Sequence, residues 1–453
     1  MGVYRARGLT NGYLPEAAFL HLAPTALGYV DLEAPLALKH PAPESAGPGC
    51  RDALVMVRLH GEPLAIIHID APLEQISAAI LSTGIWGSCA EAIRSHCKHF
   101  ACREAPREAE ELVAGLVAIG AGCPGARSTS DGASVTVVIP TCGRPQKLAR
   151  CLRTVSELDR DNFDVVVVDN RPNIPGTRDV VSAFSEHLSV RYVAEPRPGS
   201  SVARNRGLSE ASSEFVAFAD DDVLVDPSWL SWLLDPFTDP AVKAVAGMIL
   251  PLELQTESQK RLEQYAGFSK GVTAHKYDLA EHRARNRLLY PYWGGMFGSG
   301  ASMAFRRTEI LSIGGFDPAL GAGSPARAGA DIEAFTAAIL RGGQVVYQPR
   351  AVCWHEHTRD PNALRRTLFD YGAGFSAVLT KYLIHDVHFL PALARSVPLA
   401  MVNRRKRRST PSSRLPKALA RVERHGMARG PWLYARSQRW ARKLALGEVI
   451  ERG

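Results

Sequence analysis

Residues 134–141 read Ser134-Val135-Thr136-Val137-Val138-Ile139-Pro140-Thr141. A β-branched run without polar alternation, ending in proline, has the pattern of a strand buried on both faces. The pattern then recurs. A helical stretch at Pro145–Val155 precedes a second apolar strand, Phe163–Val168, which ends in Asp169-Asn170. A helix at Asp179–His187, a strand at Val190–Ala194, a helix at Ser200–Glu210 and a strand at Phe215–Ala219 follow. Strands and helices in strict alternation build a parallel sheet with crossover helices. Such sheets bind ligands beyond the carboxyl ends of their strands. There the chain places Thr141, Asp169 and Asp220-Asp221-Asp222.

Upstream, Leu54–Leu59 and Leu64–Ile69 flank His60-Gly61-Glu62-Pro63 and read as a hairpin, with helices expected around Leu73–Ser82 and Glu108–Ile119. Residues 121–132 have linker composition. The spacing therefore predicts a small α+β accessory domain over 1–127, an α/β domain over 134–380 and a tail over 381–453. No internal repeat is present.

The 453 residues carry 54 Lys and Arg against 46 Asp and Glu, a net charge of +8. From Lys381 onward the count is 17 against 4, leaving 37 against 42 before it. A mildly acidic body is joined to a basic, mostly helical tail. Composition is ordinary for a globular chain, 46% hydrophobic and 22% charged, which excludes collagen-like, coiled-coil and wholly disordered classes. Gly, Ser and Pro interrupt the one long uncharged run, Leu288 to Phe305, so no membrane span is expected. No signal peptide is visible, and eight scattered cysteines read as free thiols in a reducing, cytoplasmic setting. His96, Cys97, His99 and Cys102 near Cys89 raise the question of zinc, but the cysteine spacing fits no zinc pattern and buried thiols are the favoured reading.

The acidic triplet is the sharpest chemical signal. Three adjacent carboxylates at the end of a buried strand repel one another unless a cation is near. Mg²⁺ or Mn²⁺, bound by one or two carboxylates plus a diphosphate, would answer that need; a solvated turn is the bland alternative. Glu195 to Gly207 places Gly199 and Ser200 at a helix start with Arg204 and Arg206 following, suited to an anionic ligand. Gly298 to Arg307, then Gly314-Gly315-Phe316-Asp317, suggest backbone lying close to a ligand or another chain. Asp331 near a helix start is a candidate base. His355, at the end of a strand over Gln344–Cys353, is a candidate metal ligand.

In this order, over about Ser134 to Arg359, these segments resemble family 2 glycosyltransferases, inverting enzymes of the GT-A fold. The resemblance implies a Rossmann-like, mostly parallel sheet with flanking helices. It implies a nucleotide-sugar site made by Pro140, Thr141, Arg144, Asp169, Arg204, Asn205, Asp220 and Asp221, and a divalent metal, Mn²⁺ or Mg²⁺, on Asp222 and Asp220 with His355. Gly300, Ala301, Ser302, Gly315 and Phe316 would lie on the acceptor side. Asp331 would be the catalytic base, although Ala330 stands where the family commonly has Glu. The implied reaction is a single inverting displacement onto a hydroxyl of a saccharide, lipid-linked or peptide-linked acceptor, in cell-envelope polysaccharide synthesis. Two other readings are a silent nucleotide-sugar-binding protein and a sugar nucleotidyltransferase, for which Thr141-Cys142-Gly143-Arg144-Pro145 is a poor phosphate loop. Arg404-Arg405-Lys406-Arg407-Arg408 with Trp432, Tyr434 and Trp440 suggests peripheral contact with an anionic membrane, at the inner face of the plasma membrane, rather than with nucleic acid.

Overall fold

The computed structural model describes residues 7–8, 24–100, 105–116, 132–284, 289–292, 294–391, 394 and 416–447. Strands β1 (Arg7–Gly8), β2 (Thr25–Asp31), β3 (Asp52–Leu59) and β4 (Glu62–Ile69) form a sheet of order β1-β4-β3-β2. β3 and β4 are the expected hairpin, turned at His60 and Gly61, both with positive φ. The following helix, α1, spans Ala78–His99, later and longer than expected, because Ser77 caps it by accepting from Ile80 N. Leu73–Gln75 is a short 3₁₀ turn instead. The helix expected at Glu108–Ile119 is a 3₁₀ turn at Ala109–Leu112, with 117–119 outside the described residues. Gly115 there has φ 80° and lies against the Ala34 backbone, and the Leu116 N–H bonds to Leu32 O at 2.6 Å, so the chain folds back rather than coiling on.

This first sheet is buried on both faces. Val55, Val57 and Ile67 pack on Leu81, Ile85 and Ile93 of α1. Leu54, Met56 and Ile66 pack on Leu224, Met248, Leu250 and Trp354 of the second unit. Buried Arg58 pairs across that junction with Asp226, and buried Lys260 donates to Thr25 Oγ1 at 2.6 Å.

The second unit is a mixed sheet built from β5 (Val135–Thr141), β6 (Phe163–Asp169), β7 (Val190–Ala194), β8 (Phe215–Ala219), β9 (Val223–Val225), β10 (Val242–Pro251), β11 (His275–Tyr277), β12 (Ser302–Arg306) and β13 (Gln344–His355). The order is β7-β6-β5-β8-β12-β10-β13-β11, with β9 paired to β13. β5, β6, β7 and β8 run parallel, as the alternation predicts; antiparallel β12 joins them to the parallel pair β10 and β13. Helices α2 (Pro145–Val155), α3 (Thr177–Phe184), α4 (Ser200–Glu210), α5 (Trp229–Leu234), α6 (Glu257–Ala266), α7 (Arg307–Ser312) and α8 (Ala330–Leu340) accompany the sheet, and two large apolar clusters cover its faces. The expected α/β arrangement, a sheet with a parallel half and flanking helices, is therefore present.

Two long helices complete the fold. Helix α9 covers Pro361–His385, so residue 381 lies inside a helix rather than at a boundary. Helix α10 covers Lys417–Ala445 and lies parallel to α9. Gly426 lies against the Phe369 carbonyl, Gly430 against Ser376, and Ser376 Oγ donates to Met427 O at 2.8 Å. Tyr382 of α9 and Tyr434 of α10 are part of the main core. No helix among the described residues is long and apolar enough to cross a membrane.

Candidate functional site

The strand ends converge as the parallel sheet requires. Thr141 closes β5 and donates its hydroxyl to Asp221 Oδ2 at 2.6 Å. Asp221 is fully buried and is also held by Arg144, so it is a structural anchor facing inward. Burial pushes its carboxyl up to about 6, with Arg144 opposing and Asp222 adding to the rise. Arg144 Nη1 also donates to Asp222 Oδ2 at 2.8 Å, and Lys147 Nζ stands 3.7 Å from the same oxygen. Burial favours a protonated Asp222, but the neighbouring His355 imidazole and the charges of Arg144 and Lys147 outweigh it and hold the carboxyl below the usual range.

The other oxygen of Asp222 faces His355. Nε2 of His355 lies 3.5 Å from Asp222 Oδ1. Behind it, His355 Nδ1 is 3.0 Å from His357 Nδ1, and His357 Nε2 is 2.8 Å from Glu263 Oε2 of α6. Phe268 lies beside both imidazoles, with ring centroids 5.6 and 5.3 Å away. The buried Glu263 carboxylate accepts a hydrogen bond from His357 Nε2–H, which keeps that proton on Nε2. A neutral His357 then accepts from His355 Nδ1–H, which leaves a lone pair on His355 Nε2. Burial pushes His355 down, which favours that neutral form. Two lone-pair atoms facing each other across 3.5 Å suit a cation between them, and an oxygen–nitrogen pair is a fit donor set for Mn²⁺ or Mg²⁺. No three His, Cys, Asp or Glu side chains among the described residues are gathered to hold a metal by themselves. A cation here would need further oxygens from a ligand.

Asp220 points elsewhere in the same hollow. Its Oδ1 accepts from Arg204 Nη2 at 2.8 Å, and Arg204 is nearly buried. Gly300 lies directly behind this guanidinium: a Cβ there would sit 2.9 Å from Arg204 Nη2 and 3.4 Å from Asp331 Cβ. The Gly300 N–H donates to Asp331 Oδ2 at 2.7 Å, and Asp331 Oδ1 accepts from Ile332 N at 2.9 Å. The triplet, Arg204, Gly300 and Asp331 thus form one continuous surface. Tyr371 of α9 packs against Leu262, Leu364 and Leu368; burial pushes its phenol up, and the charges of Asp331, Asp220 and Asp222 add to the rise. Ala330 is buried against the Gly321 turn, so the position before Asp331 serves packing.

The remaining expected residues divide. Asp169, at the end of β6, accepts from Arg171 N at 2.9 Å and from Tyr192 Oη at 3.1 Å. Pro140 stays half-buried beside it on β5. Asn205 turns away from the triplet and brackets Phe316, donating to Phe316 O at 2.7 Å and accepting from Phe316 N at 2.8 Å. Gly315 packs against that amide, and Phe316 is core. Ala301 is buried, and Ser302 faces inward to accept from Trp229 Nε1 at 2.8 Å. Asn205, Ala301, Ser302, Gly315 and Phe316 thus support the site from behind, and of the residues expected on the acceptor side only Gly300 lies against Arg204 and Asp331. Lys147, Glu263 and His357 complete the site unforeseen: His357 follows His355 closely, but Lys147 and Glu263 come from two separate helices.

His96 Nδ1 lies 2.6 Å from Glu62 Oε2, and His96 Nε2 lies 3.0 Å from His60 Nδ1. Cys89 and Cys97 are buried in the core of the first unit, while residue 102 is outside the described residues.

The family model of glycosyl transferase family 2 matches residues 136–310. A pre-mycofactocin glycosyltransferase of Mycobacterium tuberculosis is 29% identical over 224 residues, 49% of this chain and 43% of that protein. A validoxylamine A glucosyltransferase of Streptomyces hygroscopicus is 37% identical over 129 residues, 27% of this chain and 30% of that protein. The chain therefore spans less than half the length of these curated relatives. Among solved structures, a mannosyltransferase of Pyrobaculum calidifontis in complex with GDP-Man and Mn²⁺ aligns over 80% of this chain and 98% of its own, with 18% identity and a TM-score of 0.44.

Proposed function

We propose, from the premise that residues 136–310 are a glycosyl transferase family 2 domain, that the chain transfers a sugar from a nucleotide-sugar donor to an acceptor hydroxyl with inversion. The observation that carries this reading is the Asp220–Arg204–Gly300–Asp331 contact chain, which joins an acidic, cation-ready pocket to a carboxylate across a glycine with no side chain in the way.

Asp169 at the end of β6 supports a place for the nucleoside. Arg204, beside Asp220, supports a place for its diphosphate. Asp222 and His355 would hold a divalent cation, which when bound would neutralise charge on the departing diphosphate. Asp331 keeps one oxygen on the Gly300 amide and one on its own helix start, so its orientation is set before any acceptor arrives. It would take the proton of the acceptor hydroxyl, and the sugar would meet that oxygen on the face opposite the leaving group. Saccharides, lipid-linked saccharides and peptide-linked hydroxyls are the acceptor classes, and glycan synthesis for the cell envelope from the cytoplasmic side is the setting. The test is a panel of nucleotide sugars and acceptors with Mn²⁺ or Mg²⁺, following nucleoside diphosphate release and the anomeric configuration of the product. Release by the wild-type protein but not by Asp222→Asn supports the reading. Nucleotide binding without release under every condition would replace it with a silent nucleotide-sugar binder.

A further inference from the structure

Helix α10 has one face packed on α9 and one face open. The packed face is Gly426, Gly430, Leu433, Tyr434, Ser437 and Leu444, all buried. The open face follows the complementary three-and-four spacing. It carries Arg421, Arg424, Arg429, Arg436, Arg439 and Arg442, all exposed. None of the six makes an ion pair with a carboxylate among the described residues. The only acid on the helix, Glu423, is turned inward, where it accepts from Tyr265 Oη at 2.6 Å. Residues 395–415, which lead to the helix, contain no Asp or Glu either. A line of cations about 30 Å long at 1.5 Å per residue is left without an ion-pair partner among the described residues.

Two apolar features lie along the same edge. Trp432 interrupts the stripe and is 59% exposed, with Arg436 over its ring at 5.8 Å; Leu446 ends it. The parallel pairing of the helices brings the end of α9 to the C-terminal end of the stripe. There Leu383, Ile384, Val387 and Leu390 are all at least half exposed. Of the expected tail aromatics, Tyr434 is core and Trp440 packs on Gly199, so Trp432 is the one on offer.

We propose that this face of α10 docks the protein onto an anionic lipid surface, with the arginine stripe on the headgroups and Trp432 at the interface. Phosphates alone would be met by arginines alone; the exposed tryptophan and the apolar end of α9 fit a surface with an acyl boundary beneath its charge. The site already described plays no part in this argument.

The test uses the full chain, because cutting at 381 would remove Tyr382 and Tyr434 from the core. Wild-type protein, the triple variant Arg436→Glu/Arg439→Glu/Arg442→Glu and Trp432→Ser are sedimented with vesicles of 3:1 phosphatidylcholine and phosphatidylglycerol, and with pure phosphatidylcholine. Circular dichroism confirms that the variants fold; all four positions face solvent. The expected result is wild-type binding to the anionic vesicles only, weakened by salt, reduced at least about a hundredfold by the triple variant and several-fold by Trp432→Ser. Wild-type binding that ignores the triple change, or no binding to anionic vesicles, overturns the proposal. So does a duplex or single-stranded oligonucleotide that competes the protein off the vesicles at equal phosphate concentration, which would assign the stripe to nucleic acid.

Discussion

His355 Nε2 and Asp222 Oδ1 face each other at 3.5 Å, too far apart for a good hydrogen bond. The distance follows from what stands behind each residue. Asp222 is drawn by Arg144 through its other oxygen, and His355 is drawn by His357 through its other nitrogen. Mn²⁺ should therefore bind the protein better once a nucleoside diphosphate supplies the missing oxygens. Electron paramagnetic titration of free Mn²⁺ should show tighter binding with diphosphate than without, and Asp222→Asn should abolish the difference. Glu263→Ala, which removes the acceptor that orients His357, should weaken Mn²⁺ binding by roughly 10-fold to 100-fold without touching the cation. Equal Mn²⁺ affinity in wild type and Glu263→Ala would remove the relay from the argument.

Asp331→Asn preserves an oxygen for the Gly300 amide and removes the base. With a true acceptor, kcat should fall by about 10² to 10⁴ while donor affinity stays within a factor of about three. Nucleotide affinity measured by calorimetry and turnover by diphosphate release separate the two effects. A variant that keeps wild-type kcat would take Asp331 out of the base role.

Much of this could be read along the chain, and the limit has a physical form. Val135–Thr141, Phe163–Asp169 and Phe215–Ala219 are continuous apolar runs because a central parallel sheet buries both faces, so strand, order and ligand edge follow from local pattern alone. Asp222 and Asp331 were visible for the same reason, as acids at element ends. The direction of Asn205 and Ser302 was not, since each turns on one long-range hydrogen bond, to Phe316 and Trp229. Glu263 is 94 positions from His357, and no local pattern relates them. The tail misled through its charge: Lys417–Ala445 is rich in arginine, yet Gly426 and Gly430 show that half of its surface is an interior one.

The junction between the two units should be sensitive to acid. Burial alone would raise the Asp31 carboxyl, but Arg58, donating to it at 2.8 Å, and Lys39 lower it on balance. Glu62 is likewise lowered on balance against its burial, by His96 and Arg350. Depressed carboxyls stabilise the fold fully above their unfolded values, near 3.8 and 4.5, and that contribution is lost as pH falls through the folded values. Thermal unfolding between pH 3 and 7 should therefore show a steep acid limb that Asp31→Asn flattens. Arg58→Met should be far worse at neutral pH, because it leaves buried Asp226 without its partner, a loss of about 3–5 kcal/mol. An Arg58→Met protein as stable as wild type would show that the junction does not hold the units together.

The helix pair α9–α10 should be felt at Asp331, the proposed base, through the loop and helix that carry it. Lys381 of α9 pairs with Asp317 at 2.8 Å and with buried Glu333 at 2.9 Å, one on the loop before the base and one on its helix. Ser437 of α10 donates to Ala319 O at 2.6 Å on the same loop. Gly374 and Gly329 are also in close approach, where α9 lies on the start of α8. A methyl group at Gly426 would press on the Phe369 carbonyl, which is backbone and cannot swing aside. Gly426→Ala should therefore separate the helices slightly, cost about 1–3 kcal/mol in chemical denaturation and lower kcat with little change in donor affinity. Ala428→Ser, two residues on and exposed, should change neither quantity. Loss of stability in Gly426→Ala with wild-type kcat would show that the helices brace the fold and leave Asp331 to its own helix start.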